Sequence, residues 1–213
     1  MMRRFDEQLT ELNDMLLEMA ALVEKTITMA SKALIEQDTE LAKKVIAIET
    51  DVEKKEKDIE TLCLKLLLQQ HPVATDLRLV SSALKMITDM ERIGDQAADI
   101  SEIVVAMDGA PYAQKLIPIQ KMATATVKMV TESIDAYVKK DLKLAEAVIK
   151  YDDVVDEHFA KVKLDLMELI RSNSPHSEQS VDLLMIAKFF ERIGDHACNI
   201  AKWVVYSISG KQG

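Results

Sequence analysis

Acidic side chains recur along this sequence at the four-residue spacing that places them on one face of a helix. Glu91, Asp95 and Asp99 follow one another at this interval, and each step advances about 6 Å along the helix axis. Like charges at this spacing repel, at a cost of about a few tenths of a kcal/mol per pair. The chemistry that such a column predicts is the binding of cations by oxygen ligands.

The same pattern recurs in other segments of the chain. The further acidic or amide positions are Glu191, Asp195 and Asn199, the pair Glu49 and Glu53, and the pair Asp152 and Asp156. Surface residues without a function diverge after a duplication, so acids kept in matched places favour cation binding over a merely solvated face. Carboxylate and amide oxygens suit hard or intermediate ions, and iron, Mn²⁺, Mg²⁺, Zn²⁺ and Ca²⁺ all remain open.

These matched positions belong to an internal duplication. The five residues Glu91–Asp95 reappear unchanged as Glu191–Asp195, and the segments that begin at Asp38 and Asp141 share an Asp-x-x-Leu-Ala opening. A glycine in the middle of a helix costs about 1 kcal/mol relative to alanine. The glycine at the fourth position of each five-residue motif therefore predicts close approach of another helix or of a metal cluster.

The elements that must position the acids are helices. Hydrophobic residues make up 48% of the chain, whereas it has only 5 glycines and 4 prolines, which excludes a turn-rich β fold. Apolar periodicity and the few breaks predict an all-α fold of two tandem homologous three-helix bundles. The predicted helices are 4–36, 38–69, 74–107, 113–139, 141–171 and 178–208, and the predicted domains are 1–109 and 110–213, divided at the Asp108–Pro111 break.

Charge and composition restrict the partners and the compartment. The net charge of −9 disfavours nucleic acid and docking by charge alone on anionic lipid. No apolar run is long enough to span a membrane, and no signal peptide is visible at the N-terminus. Cys63 and Cys198 lie singly in helical segments, which fits a reducing compartment. We therefore expect a cytoplasmic protein without direct membrane insertion.

Rows of carboxylates in a helical bundle also raise the possibility of a metal oxidase or storage protein. Such sites use Glu-x-x-His within the bundle core, and none of the four histidines has an acid three residues before it. No phosphate loop or nucleophile motif is present either. The sequence therefore predicts that the protein is not an enzyme, and that His158 and His196 have structural roles.

Three segments together resemble the PhoU-type family of phosphate-transport accessory proteins. They are Gln70–Arg78, Asp89–Asp95 and Phe190–Ala201. The resemblance covers nearly the whole chain and implies metal clusters at the protein surface. Glu49, Glu53, Glu91 and Asp95 would serve the first site, and Asp152, Asp156, Glu191 and Asp195 the second, with Asp99 and Asn199 as extra ligands. The Glu49–Glu53 pair departs from the family, which more often has Asp there.

The resemblance also implies a negative regulator of phosphate uptake and of phosphate-starvation signalling. The expected partners are the ATPase subunit of the phosphate ABC transporter, the phosphate-sensing histidine kinase and a second copy of the chain. Two alternatives remain: a carboxylate-bridged oxidase or storage bundle, and an accessory regulator of another transporter or channel.

Overall fold

The computed structural model describes residues 2–69, 74–107, 117–172 and 177–210, and it is helical almost throughout. The six helices are α1 (Met2–Glu36), α2 (Thr39–Gln69), α3 (Ala74–Ala106), α4 (Ile117–Lys139), α5 (Leu142–Arg171) and α6 (Ser177–Ser209). Their bounds agree with the predicted bounds to within two residues, except that the start of α4, predicted at residue 113, lies outside the described residues.

Corresponding turns separate the first two helices of each half. Gln37 and Lys140 adopt positive φ angles of 56° and 50°, which ends α1 and α4. The next residue in each case is an aspartate whose side chain accepts a hydrogen bond from a backbone N–H of the following helix. The distances are 2.9 Å from Leu41 N to Asp38 and 3.1 Å from Leu144 N to Asp141. Both aspartates are thus N-caps, as the sequence predicted.

The helices form two bundles that pack side by side. Helices α1, α2 and α3 contact one another, as do α4, α5 and α6, and the two halves meet through α3 against α6 and α1 against α4. The predicted all-α fold of two homologous three-helix bundles is confirmed. The predicted boundary between residues 109 and 110 lies outside the described residues and stays a prediction. Among the helices that the structure describes, none combines the length and apolar character needed to cross a membrane.

The repeated glycines lie where α2 meets α3 and where α5 meets α6. A Cβ atom added to Gly94 would lie 3.1 Å from Cγ1 of Val52, and one added to Gly194 would lie 3.3 Å from Cγ1 of Val155. Both valines are buried. Each glycine therefore lets a neighbouring helix approach closely, which is one of the two explanations that the sequence left open.

Candidate metal sites

The first acidic cluster lies along the contact between α2 and α3. Glu49 projects from α2, and its pKa is raised first by partial burial and then by the charges of Asp95, Glu102, Asp99 and Glu53. The pKa of Asp99 is raised by burial and by Glu102 and Asp95. These mutual effects place carboxylates of both helices within electrostatic reach of one another.

Glu91 is the most perturbed carboxylate of this cluster. Burial and then the charge of Asp95 raise its pKa to about 7, and only 15% of its side chain is exposed. Burial raises an acid's pKa because it disfavours the charged form, and a nearby negative charge acts in the same direction. All five residues predicted for the first site, which are Glu49, Glu53, Glu91, Asp95 and Asp99, are therefore brought into one neighbourhood.

The second cluster occupies the equivalent place between α5 and α6. Burial raises the pKa of Asp152 to about 6, with further increases from Asp195 and Asp156. The pKa of Asp195 is raised by burial, then by Glu191 and Asp156. The four carboxylates predicted for this site thus lie close enough to influence one another across two helices.

Basic side chains engage several of these acids. Arg92 lies between two of them, with its guanidinium 3.0 Å from Oδ2 of Asp95 and 3.4 Å from Oε2 of Glu91. Lys188 is 2.6 Å from Glu191, and Lys57 is 2.6 Å from Glu53. Throughout the described ranges, no three acidic, imidazole or thiol groups converge closely enough to hold one metal ion. The donor chemistry fits hard cations, but binding would require these side chains to rotate away from their basic partners.

Asn199 and His196 make a different contact from the acids. The amide of Asn199 donates to Oδ1 of Asp89 at 3.3 Å, and Nδ1 of His196 hydrogen-bonds to the same oxygen at 2.8 Å. Asp89 belongs to α3, so this network joins the two halves. The arrangement gives His196 a structural partner, and it orients the amide of Asn199 toward α3. Asn199 nevertheless borders an open cavity of about 420 Å³ together with Asp152 and Asp195.

Sequence reasoning missed two acids of the first cluster. Glu56, three residues after Glu53, has its pKa raised by burial and by Glu60, with a contribution from Asp95. Glu102 acts on Asp99 and Glu49. Their helical spacing was visible in the sequence. A comparison of the two repeats does not select them, since the equivalent positions hold Phe159 and Lys202.

The oxidase or storage alternative receives no support from the core. The buried polar residues of the described chain are Gln8, Thr26, Ser31, Ser82, Gln96, Ser101, Thr126, Ser133 and Ser180, with no carboxylate among them. Carboxylate-bridged oxidases project their ligands into the bundle interior. Both acidic clusters here lie along the contact between two helices and consist of partly buried or exposed side chains.

The fold and these clusters define a protein of two repeated three-helix bundles, each with an acidic cluster along the contact between its second and third helices. The model of the PhoU domain matches the chain twice, at residues 16–104 and 119–204, one match in each half. The chain belongs to the PhoU family.

Similar proteins match along nearly the full length. The chain is 33% identical over 209 residues to a phosphate-specific transport system accessory protein PhoU homolog of Clostridium acetobutylicum, with 98% of this chain and 95% of that protein covered. A homolog of the same name from Pseudomonas aeruginosa is 31% identical, with 98% of this chain and 86% of that protein covered. The crystal structure of PhoU from Pseudomonas aeruginosa superposes with a TM-score of 0.94, 31% identity and coverage of 97% of this chain and 100% of that chain. PhoU of Streptococcus pneumoniae gives a TM-score of 0.90 at 25% identity, covering 98% of this chain and 99% of that one.

Proposed function

We propose that this protein is an accessory regulator of phosphate transport. The observation that carries the proposal is the match to proteins named for that role, at about a third identity, across both repeats and 98% of the chain. The match is not confined to one repeat or one motif but extends over both bundles. A regulator of this kind acts by contact with other proteins and catalyses no reaction.

In its finer form, the proposal is that the protein is a negative regulator in the cytoplasm. It restrains the phosphate ABC transporter through the ATPase subunit and holds the phosphate-sensing histidine kinase inactive, and it acts as a homodimer. The net charge of −9 favours protein partners over nucleic acid, whose phosphates an acidic surface repels.

Complementation tests this role. The chain is expressed in a Pseudomonas aeruginosa strain that lacks its own PhoU homolog, and uptake of labelled phosphate is measured at high external phosphate. We expect uptake to fall toward the level of the parent strain, and the chain to co-purify with the ATPase subunit of the phosphate transporter. Unchanged uptake despite normal expression of folded protein would contradict the proposal. Co-purification with a different transporter would favour the alternative accessory role.

We further propose that both acidic clusters bind metal ions. Glu49, Glu53, Glu91, Asp95 and Asp99 would hold ions at the first, and Asp152, Asp156, Glu191 and Asp195 at the second, with Asn199 at its edge. The support is electrostatic, since several like charges raise one another's pKa and a cation would relieve that repulsion. Iron, Mn²⁺, Mg²⁺, Zn²⁺ and Ca²⁺ all suit these ligands.

The metal proposal is tested by elemental analysis of protein purified without chelator or a metal-affinity tag. The double variant Glu191→Ala with Asp195→Ala is expected to lose the metal of the second cluster, while circular dichroism shows unchanged helicity. The control is Glu146→Ala with Glu157→Ala, which removes the same charge from exposed positions of α5. Equal metal content in both double variants and the parent protein would rule out the assigned ligands.

A further inference from the structure

A groove of about 410 Å³ lies between α4 and α5, on a different side of the second bundle from its acidic cluster. The groups that line it include the two lysines Lys121 and Lys128 and the imidazole of His158, and no acid is among the described lining residues. The chain as a whole carries a net charge of −9. This groove therefore differs from most of the surface in attracting anions.

The first repeat has an ion pair where this groove has two bases. At the contact between α1 and α2, Nζ of Lys55 lies 2.8 Å from Oε2 of Glu18. In the register of the two N-capping aspartates, Lys55 corresponds to His158 and Glu18 corresponds to Lys121. The charge on the first helix is thus reversed, and within the described ranges Lys121 forms no ion pair. The acid that neutralises this contact in the first repeat has no counterpart in the second.

The other lysine of the groove lies over an aromatic ring. Nζ of Lys128 is 4.1 Å from the centroid of the Tyr151 ring, which is the geometry of a cation–π contact. Its ion pair with Glu132, on the same helix, has a distance of 3.9 Å between partly exposed side chains, and such pairs contribute little. Lys128 can therefore contact a bound anion, while Tyr151 and Ala125 supply apolar surface to the same groove.

The spacing of the two lysines favours an extended acidic segment over one small anion. Lys121 and Lys128 are seven residues apart, close to two helical turns, so they lie on one side of α4 about 10 Å apart along its axis. A single carboxylate or phosphate group is too small to contact both. In a polyproline II segment, side chains three residues apart point the same way and are separated by about 9 Å. Two acids at that spacing match the two lysines.

We propose that the groove between α4 and α5 binds an extended acidic segment of a partner protein. One carboxylate of the segment contacts Lys121, a second contacts Lys128, and an apolar side chain between them lies against Tyr151. The ring of His158 adds a hydrogen-bond donor to the same groove. The proposal rests on the regulatory role through protein contacts proposed above, and it assigns one such contact to a surface distinct from the acidic clusters.

Fluorescence polarisation of a labelled peptide with the full chain tests this surface. The probe is the sequence Glu-Pro-Leu-Glu flanked by glycines, in which proline favours the extended conformation. Its control peptide has glutamine in place of both glutamates. We expect saturable binding of the probe, weakened by added salt, and binding of the control peptide weaker by at least about tenfold.

Substitutions on the protein locate the binding site. Lys121→Glu restores the charge pattern of the first repeat, and it is expected to weaken binding of the probe about fivefold to tenfold. The matched control is Lys143→Glu, which makes the same charge change at an exposed lysine in the first turn of α5 and should leave binding within about twofold. Lys128→Gln is expected to weaken binding about twofold to fivefold.

Three results would overturn the proposal: no saturable binding of the probe, equal weakening by Lys121→Glu and Lys143→Glu, or displacement of the probe by an equal concentration of a DNA oligonucleotide. The last would indicate a general site for polyanions. The complementation assay remains a separate measurement. Restored control of phosphate uptake without peptide binding would contradict this site alone, whereas peptide binding without restored control would contradict the transport role alone.

Discussion

Glu91 shows how the neighbourhood of one residue determines its ionisation. Its carboxyl is largely buried and lies beside Asp95, and these two effects raise its pKa to about 7 from an ordinary value of 4.5. Arg92 acts in the opposite direction and does not cancel these effects. Near neutral pH the folded chain therefore binds a proton at Glu91 that the unfolded chain has already released.

This difference makes stability depend on pH. A carboxyl whose pKa is raised on folding stabilises the fold fully below its unfolded pKa, and this contribution is lost as pH rises through the folded pKa. In metal-free protein we expect the free energy of unfolding to fall between about pH 4.5 and about pH 7, through Glu91, with Asp152 contributing below about pH 6. Glu91→Gln should remove most of this loss and raise stability at neutral pH by about 1 kcal/mol, after allowance for solvent screening.

Urea unfolding at several pH values measures this effect. The control is Glu53→Gln, which alters an exposed acid of the same cluster that pairs with Lys57 at 2.6 Å. A stability of Glu91→Gln that follows the same pH dependence as the parent protein would show that the proton is bound elsewhere.

At this scale the sequence revealed the acids but not their neighbours. The spacing of Glu91, Asp95 and Asp99 was enough to place them on one helical face. The ion pairs of Glu91 and Asp95 with Arg92 and the extra charge of Glu102 depend on rotamers and on the angle between two helices, which periodicity does not determine. The contact of Asp89 with His196 joins residues of different repeats, and no spacing rule connects them.

The helix pairs owe their close approach to one glycine each. The Cβ of alanine at position 94 would lie 3.1 Å from Cγ1 of Val52, closer than ordinary van der Waals contact. Valine in a helix has one strongly preferred rotamer, so Val52 cannot easily turn away. Alanine is favoured over glycine within a helix by about 1 kcal/mol, so this preference would stabilise the substituted protein while the overlap would destabilise it.

We expect Gly94→Ala to destabilise the protein by about 1 to 2 kcal/mol, as overpacked core substitutions do. In a Val52→Ala background, where the overlap is gone, the same substitution should become stabilising by up to about 1 kcal/mol. Thermal unfolding of the four proteins in this cycle measures both effects. A loss of the same size in both backgrounds would mean that Val52 is not the group that the new methyl meets.

The helix boundaries followed from local chemistry and were therefore predictable. Asp38 and Asp141 accept hydrogen bonds from the first turns of α2 and α5, and such caps are visible in sequence. The sequence did not show whether a helix or a metal cluster lies beside Gly94, because either one needs the space that a missing side chain leaves. Only the position of Val52 on the packed neighbour resolved it.

The whole molecule has one hydrophobic core that continues from the first half into the second. Buried side chains of α3 and α6 belong to the same cluster as those of the four other helices. Bonds between side chains of the two halves add to it, such as Thr131 to Glu24 at 2.6 Å and Tyr137 to Asn13 at 3.0 Å. The fold class was predictable from composition and repeats, whereas this joint core was not.

We expect the chain to unfold as one cooperative unit despite its two repeats. Separating the halves would expose the buried faces of α3 and α6, so neither half gains by unfolding alone. Circular dichroism and tryptophan fluorescence, which reports on Trp203 in α6, should give coincident denaturation curves. Two resolved transitions would show that the halves are independently stable domains.

Helices α3 and α6 cross in opposite directions: Asp89 meets His196 and Asn199 near one end of the crossing, while Arg192 lowers the pKa of Asp99 near the other. A rotation of 180° about an axis through the crossing would therefore bring α3 onto α6 and each residue onto its equivalent in the other repeat. Two identical chains have the same relation in a symmetric dimer. In such a dimer, any substitution would appear in both chains at once. When the two repeats belong to one polypeptide, each can be substituted separately. Asp89 can therefore face a histidine, whereas Phe189, the equivalent residue of the second repeat, does not. The covalent link thereby allows one ancestral surface to become two specialised ones.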